Sequence, residues 1–163
     1  MKTRIPLLMG LLALNGCSIE PAADFDYAGA SLEERQAWLD RQARTVKRSA
    51  RWALPQGRNG VFMKLTDVET DTARREIRLI IHVNPVPGKR LSMRSPDRAR
   101  LAAACEDYTE SPLAAQNIRL TAQYRQTRNG GQPPRQLMNF SIDRGRCARV
   151  PGVSRPAPRQ TPP

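Results

Sequence analysis

The chain has 163 residues, with 27 lysines and arginines against 15 aspartates and glutamates, so its formal net charge is +12. A chain of this length forms one domain and buries roughly two thirds of the surface that the unfolded chain exposes. Its basic residues are spread along the sequence and do not form one run, unlike the clustered patch of a typical nucleic-acid-binding protein. We therefore expect no nucleic-acid partner.

The first residues have the organisation of an export signal. Lys2 and Arg4 provide a charged start, and residues 5–14 form an apolar run that is too short to span a bilayer. The run ends in Leu14-Asn15-Gly16-Cys17, which resembles the lipobox of bacterial lipoproteins. This resemblance implies that residues 1–16 are a signal peptide and that Cys17 becomes the lipidated start of the mature chain.

The residue after the lipobox indicates which membrane holds the lipid anchor. Ser18 is not the aspartate that often retains such proteins in the inner membrane of enterobacteria. The resemblance therefore implies a lipid anchor in the outer membrane, facing the periplasm.

The two remaining cysteines form an even pair. With Cys17 assigned to lipid, Cys105 and Cys147 are expected to form a disulfide, because the periplasm is oxidising. A bond closing a loop of about 40 residues stabilises a fold by roughly 3 to 4 kcal/mol on the chain-entropy model. The alternative is a pair of buried free thiols.

Composition divides the mature chain into three parts. Residues 17–30 contain Pro21, small residues and acids, and we interpret them as the lipidated cysteine and a flexible tether. Residues 31–147 carry the periodic patterns of one α+β domain. Residues 148–163 are rich in proline and arginine and have few large apolar residues, so a disordered tail is expected.

The domain opens with a helix. Ser31 and Glu34 form a capping box, and the helix is predicted to run to about Arg51. Trp38 lies beside its apolar stripe and Trp52 follows its end. The stripe comprises Leu32, Leu39, Ala43, Val46 and Ala50.

The apolar period then changes to two. Residues 61–68 and 75–83 are predicted strands, and the polar link 69–74 predicts a hairpin. Residues 84–90 contain two prolines and a glycine, so they cannot continue a central strand. In the second strand Ile77, Leu79, Ile81 and Val83 form one side, and Glu76, Arg78, Ile80 and His82 form the other.

The second half repeats the order of helix and two strands. Ser95 is the predicted cap of a helix that runs to about Asp107, with Pro96 and Asp97 in its first turn. Residues 110–117 are predicted to be irregular or to form a short helical turn around Pro112. Strands are predicted at 118–126 and after the loop 128–134. The helix stripe comprises Leu101, Ala104, Cys105 and Tyr108, and the last strand places Met138, Phe140 and Ile142 on its apolar side.

The element order αββαββ predicts the fold class. Two helices on one face of a mostly antiparallel four-stranded sheet make a two-layer α+β sandwich. The strand order does not follow from the sequence.

Few residues are candidates for catalysis or metal binding. His82 is the only histidine and lies on the wet side of its strand, without a motif that would provide catalytic partners. Asp67, Glu69 and Asp71 imitate a calcium loop but lack the required glycine and glutamate, so a solvated turn is favoured. We therefore expect no catalytic residue, no metal site and no cofactor.

Three arginines are candidate contacts for an anionic partner. Arg78, Arg119 and Arg125 all lie on predicted wet faces of strands, where they would form a cationic platform for acidic glycans or lipid headgroups. The alternative is a solvated sheet face whose charges discourage edge pairing.

For function, the element order and cysteine pair resemble the small pilot lipoproteins of type II secretion. This resemblance covers the signal and the general layout, and it implies a non-enzymatic accessory protein that docks a larger envelope assembly. The first alternative is a basic module that binds anionic glycan or lipid headgroups. The second is an envelope enzyme with an unfamiliar site.

Overall fold

The computed structural model describes residues 3–5, 25–53, 61–84, 91–93, 95–128 and 132–153. These residues form the α+β fold predicted from the sequence, with helices packed on one face of an open four-stranded sheet. The elements in chain order are β1 (Thr3–Ile5), α1 (Leu32–Ala53), β2 (Met63–Asp71), β3 (Glu76–Val83), β4 (Leu91–Met93), α2 (Arg98–Thr109), α3 (Pro112–Ala115), β5 (Arg119–Gln126), β6 (Arg135–Ile142) and α4 (Arg144–Cys147).

The sheet has the strand order β2-β3-β5-β6. Its two outer pairs are antiparallel, and its central pair, β3 and β5, is parallel. A parallel pair needs a crossover connection, and α2 and α3 provide it. The inner strands contribute the sheet side of the core, with Ile77, Leu79, Ile81 and Val83 from β3 and Leu120, Ala122 and Tyr124 from β5 all buried.

Helix α1 begins at the predicted capping box. The backbone N–H of Ser31 donates to Glu34 Oε2 at 2.8 Å, and the N–H of Glu34 donates to Ser31 Oγ at 3.3 Å. The predicted stripe is confirmed except at Leu32, which is 71% exposed. Leu32 lies in the first turn, before the helix reaches the side chains of the sheet, and the buried surface starts with Trp38 and Leu39.

A β-bulge changes the pattern of β2. The pairing with β3 shifts between Leu65 and Asp67, so Thr66 is an extra residue and its Oγ1 donates to the Ile80 carbonyl at 3.1 Å. Beyond the bulge, Val68 and Thr70 take the side that alternation from Leu65 would give to odd-numbered residues. The strand therefore continues to Asp71, past the end predicted at residue 68.

Helix α2 starts later than predicted. Its N-cap is Asp97, whose side chain accepts from the N–H of Arg100 at 3.0 Å, so Ser95 and Pro96 lie before the helix. Aspartate caps as well as serine does, and its extended backbone marks the boundary. The predicted turn around Pro112 is α3.

The structure forms the expected disulfide. Cys105 on α2 and Cys147 in α4 are bonded, with Cα atoms 5.3 Å apart and a sequence separation of 42. Both cysteines are buried. The disulfide links α2, the crossover helix, to α4, which follows the last strand, β6.

Two boundaries of the domain were predicted wrongly. Residues 25–30, assigned to the tether, are packed on the domain because Tyr27 is only 1% exposed. Residues 148–153, assigned to the tail, include Val150, which is buried in the core and whose N–H donates to the Cys147 carbonyl at 3.0 Å. The remaining tether and tail residues, 17–24 and 154–163, lie outside the described residues.

A separate parallel pair joins β1 to β4. It uses three residues of the predicted signal peptide, and removal of residues 1–16 would leave the four-stranded sheet complete because β1 pairs with β4 and not with that sheet. Cys17 and most of the proline-containing segment 84–90 lie outside the described residues. Among the described helices, none has the length and apolar character that a membrane span requires.

Candidate ligand-binding face

The side of the sheet turned away from the helices is the candidate functional surface, and we call it the open face. Every described helix contributes to the core on the other side. In the register of the strands, the open face comprises Lys64, Asp67, Glu69 and Asp71 from β2, Glu76, Arg78, Ile80 and His82 from β3, Arg119, Thr121, Gln123 and Arg125 from β5, and Gln136, Asn139 and Ser141 from β6.

The open face has two ends with different chemistry. We call the end at the β2–β3 turn, residues 72–75, the turn end, because β3 and β5 both start there. The far end is where these strands finish, at Val83 and Gln126. Strands of eight residues separate the two ends by about 25 Å.

At the turn end, carboxylates neutralise the arginines. Arg78 donates to Glu69 Oε2 at 3.2 Å and also to Glu76, whose Oε1 accepts from Thr121 Oγ1 at 2.6 Å. Burial alone would lower the pKa of Arg78, but its hydrogen bond and attraction to Glu76 and its pairing with Glu69 raise the pKa overall. Arg119 forms an ion pair with Asp143, with Nε and Oδ2 at 3.2 Å.

At the far end, one row of side chains crosses all four strands. Lys64 pairs with His82, His82 with Arg125, and Arg125 with Gln136. Arg125 Nε donates to Gln123 Oε1 at 3.0 Å, and Gln123 Nε2 donates to Gln136 Oε1 at 3.0 Å. Within the described ranges, Lys64 and Arg125 take part in no ion pair, so this end of the face remains basic.

An exposed aromatic ring adjoins this row. Phe62 precedes Lys64 by two residues and so lies on the same side of the chain, and its carbonyl accepts from the N–H of Asn84 at 3.0 Å. The Phe62 side chain is 56% exposed. The far end therefore combines cations, side-chain amides and an apolar ring.

Trp38, which lies beside the apolar stripe of α1, is covered by other residues of the chain. Phe25 stacks on Trp38 with ring centroids 5.3 Å apart, and Tyr27 meets Trp38 edge to face at 5.9 Å. The N–H of Tyr27 donates to Gln116 Oε1 at 3.2 Å. Trp38 is consequently buried and is not a docking site, and the side chain of Trp52 lies outside the described residues.

The position of Tyr27 places the start of the folded domain at the turn end. Its hydroxyl donates to the Thr72 carbonyl at 3.3 Å, and the guanidinium groups of Arg35 and Arg75 lie 5.6 and 5.1 Å from the centre of its ring. Burial raises the pKa of the Tyr27 hydroxyl, and the charges of Arg75 and Arg35 oppose this shift.

The arginines singled out from the sequence have different environments. Arg78, Arg119 and Arg125 all lie on the open face, but only Arg125 is outside an ion pair among them. The described part of the chain therefore offers a cationic surface at the far end and not across the whole face.

Of the other candidate residues, His82 lies where the sequence predicted it, whereas Asp67, Glu69 and Asp71, predicted in a solvated turn, lie on strand β2, because the strand continues to Asp71. His82 lies on the open face, and Asp71 accepts from the N–H of Arg74 in the β2–β3 turn. Among the described residues, no group of three or more histidines, cysteines and carboxylates has the arrangement of a metal site.

Sequence reasoning missed three residues of the far end. Lys64, Phe62 and Gln136 lie in predicted strands, but no role was predicted for them. The signal available in the sequence was Phe62, a phenylalanine on the side of the strand that otherwise carries polar residues. Gln136 faces Arg125 only because of the irregular register of β6 between Met138 and Gln136, which no sequence pattern indicates.

Comparison with known proteins gives no relative. No protein-family model, curated protein or solved structure matches the chain.

Proposed function

We propose that this protein is a lipid-anchored accessory protein of the bacterial envelope, which faces the periplasm and docks a larger assembly through the open face of its sheet. It acts by binding and not by catalysis. The signal pattern ending in Cys17 supports the proposed location in the envelope. The buried bond between Cys105 and Cys147 supports it independently, because disulfides persist in oxidising compartments.

One observation carries the docking proposal. The helices pack on one face of the sheet only, and the opposite face presents a broad polar surface in the described part of the chain. The groups that meet at its far end are cations, amides and a ring. Such groups bind anions and hydroxyls but do not include the paired nucleophile and base of a hydrolytic site.

The anchor would be attached at one end of this face. Cys17 precedes Phe25 by eight residues, which reach at most about 30 Å when fully extended. Phe25 and Tyr27 pack at the turn end. The tether would then join the domain at the turn end, and the far end would be the end more distant from this attachment.

The lipid anchor and the proposed location are tested with the full chain carrying Cys17→Ser. We expect the wild-type protein to pellet with outer membranes and the variant to be released or mislocalised, because lipid is the anchor. Mass spectrometry should identify lipidated Cys17 as the mature start. A wild-type protein that stays soluble after membrane pelleting would contradict the proposal.

Docking is tested by the accessibility of single introduced cysteines. Asn139→Cys places a thiol on the open face, and Ala37→Cys places one on the exposed side of α1 as the control. In intact envelopes, maleimide should label Asn139→Cys several times more slowly than in purified protein, whereas Ala37→Cys should label at the same rate in both. Equal rates for both variants in both preparations would overturn the docking proposal.

A further inference from the structure

The far end of the open face has the composition of a site for acidic carbohydrate. A uronate unit offers a carboxylate, several hydroxyls and an apolar C–H face. Arginine and lysine bind carboxylates, and amide side chains both donate to and accept from hydroxyls. An exposed ring such as that of Phe62 provides apolar contact area next to polar groups.

Within the described residues, the two cations of this row, Lys64 and Arg125, form no ion pair. Arg78 forms ion pairs with Glu69 and Glu76, and Arg119 forms one with Asp143. Arg125 instead donates to the neutral amide of Gln123. The open-face carboxylate nearest to Lys64 along the chain is Asp67, whose Oδ1 accepts from the N–H of Val68 at 2.8 Å. An incoming carboxylate would therefore not have to displace an internal ion pair.

The shape of the surface indicates the size of the ligand. Small molecules usually bind in concave pockets. The row from Lys64 to Gln136 crosses four strands and extends about 14 Å along the sheet, with the exposed ring of Phe62 at one corner. An elongated polymer fits an open sheet surface of this kind better than a single sugar does.

The position of the site favours glycan over lipid. The domain starts at the turn end, and the far end lies about 25 Å away along the strands. The site is therefore at the end more distant from the attachment of the tether. A polymer that extends through the periplasm would meet the far end.

We propose that Phe62, Lys64, Gln123, Arg125 and Gln136 form a binding site for a linear acidic polysaccharide. This inference rests on the proposed function for the envelope address and names the chemistry of the docked assembly. Arg125 and Lys64 bind the carboxylates, Gln123 and Gln136 bind hydroxyls, and Phe62 packs against the sugar ring.

The test is binding of oligogalacturonate, a linear uronate oligomer, to the full chain purified in detergent, measured by calorimetry. The double variant Lys64→Gln/Arg125→Gln removes two charges from the site, and Arg44→Gln/Arg48→Gln removes two from the exposed side of α1. We expect the first to weaken binding about tenfold or more and the second less than about twofold, because charge-assisted contacts are local. Phe62→Ala should weaken binding several-fold without changing the charge.

Other outcomes overturn the proposal. Equal weakening by both double variants would show general attraction to a basic protein, and an unchanged affinity in Phe62→Ala would remove the ring from the site. Vesicles of phosphatidylglycerol that compete as well as the oligomer would assign the site to a lipid surface. An acidic peptide that competes better than the oligomer would assign it to a protein.

The two proposals fail separately. If Asn139→Cys is protected in envelopes but uronate does not bind, the docking surface stands and the acidic polysaccharide is wrong. If uronate binds but Asn139→Cys is not protected, the ligand class stands and docking of an assembly in the envelope is wrong.

Discussion

The turn end and the far end of the sheet both carry arginines and an aromatic ring, but the environments of these side chains differ. At the turn end, Arg78 and Arg119 are ion-paired, and the aromatic ring of Tyr27 is buried between α1 and the β2–β3 turn. At the far end, Arg125 has no carboxylate partner among the described residues, and the ring of Phe62 is exposed.

This difference separates stability from recognition. Removing one member of a buried ion pair destabilises the fold because the other charge is left uncompensated, and a ligand must break such a pair before it can bind the charge. A charge or ring that remains in solvent contributes little to stability and can contact a partner without such a cost. We therefore expect substitutions at the turn end to lower the free energy of unfolding and substitutions at the far end to lower affinity.

The largest effect is expected from the disulfide, which lies at the turn end because α4 follows the end of β6 beside the start of β5. Cys105→Ala/Cys147→Ala should lower the free energy of unfolding by about 4 kcal/mol, since the bond closes a loop of 42 residues in the unfolded chain. Urea unfolding without reductant measures this. Reductant should destabilise the wild type by a similar amount and leave the double variant unchanged; a wild type insensitive to reductant would contradict the prediction.

The two aromatic residues provide the next comparison. Tyr27→Ala should lower the free energy of unfolding by about 3 kcal/mol, because it removes a buried ring together with its contacts to Trp38, Arg35 and Arg75. Phe62→Ala should change it by less than about 0.5 kcal/mol, as for most exposed positions. Thermal or urea unfolding of both variants decides. A Tyr27→Ala protein as stable as Phe62→Ala would mean that residues 25–30 are a tether after all.

The arginines provide a smaller contrast. Arg78→Gln should lower the free energy of unfolding by about 2 kcal/mol, because the buried Glu76 side chain would lose the guanidinium that donates to it. Arg125→Gln should cost less than about 0.5 kcal/mol. Adding Glu76→Gln to Arg78→Gln should recover part of the loss, since it removes the unpaired carboxylate. Equal losses for the two single variants would show that the ends of the face do not differ.

Local rules were sufficient for much of the fold. The alternation in β3 and β5, the capping box at Ser31 and the cysteine pair each depend on a few neighbouring residues or on the compartment, and the structure contains all of them. The parallel pairing of β3 with β5 depends on how distant segments meet. No local pattern records it.

Where the sequence misled, a tertiary contact decided the outcome. Residues 25–30 show no sustained apolar period and were therefore assigned to the tether, but the rings of Phe25 and Tyr27 pack on Trp38. Ser95 and Asp97 both qualify as caps, and the hydrogen bond to Arg100 selects Asp97. The face of each candidate arginine followed from alternation, but whether its charge was paired depended on strand order.

Asp107, at the turn end, forms no ion pair with any described residue. Asp107 lies in the last turn of α2, whose C-terminal part is held beside β5 by a hydrogen bond from the Tyr108 hydroxyl to the Ile118 carbonyl at 2.8 Å. Burial raises the pKa of the Asp107 carboxyl, and the negative charges of Glu110 and Glu106 raise it further. A negative charge near a helix C-terminus is also unfavourable with respect to the helix dipole.

Asp107→Asn should therefore stabilise the protein at neutral pH, by about 0.3 to 1 kcal/mol. The folded-state pKa of Asp107 is raised, so the wild type gains relative stability when the carboxyl is protonated and loses it as pH rises through the folded pKa. The advantage of the variant should appear above that pH and vanish below the pKa of the unfolded chain. Glu33→Gln, at the favourable N-terminal end of α1, is the matched control and should destabilise slightly at neutral pH. Unfolding of both variants at pH 3 and pH 7 measures the difference, and an advantage of Asp107→Asn that is equal at both pH values would mean that its charge is not the cause.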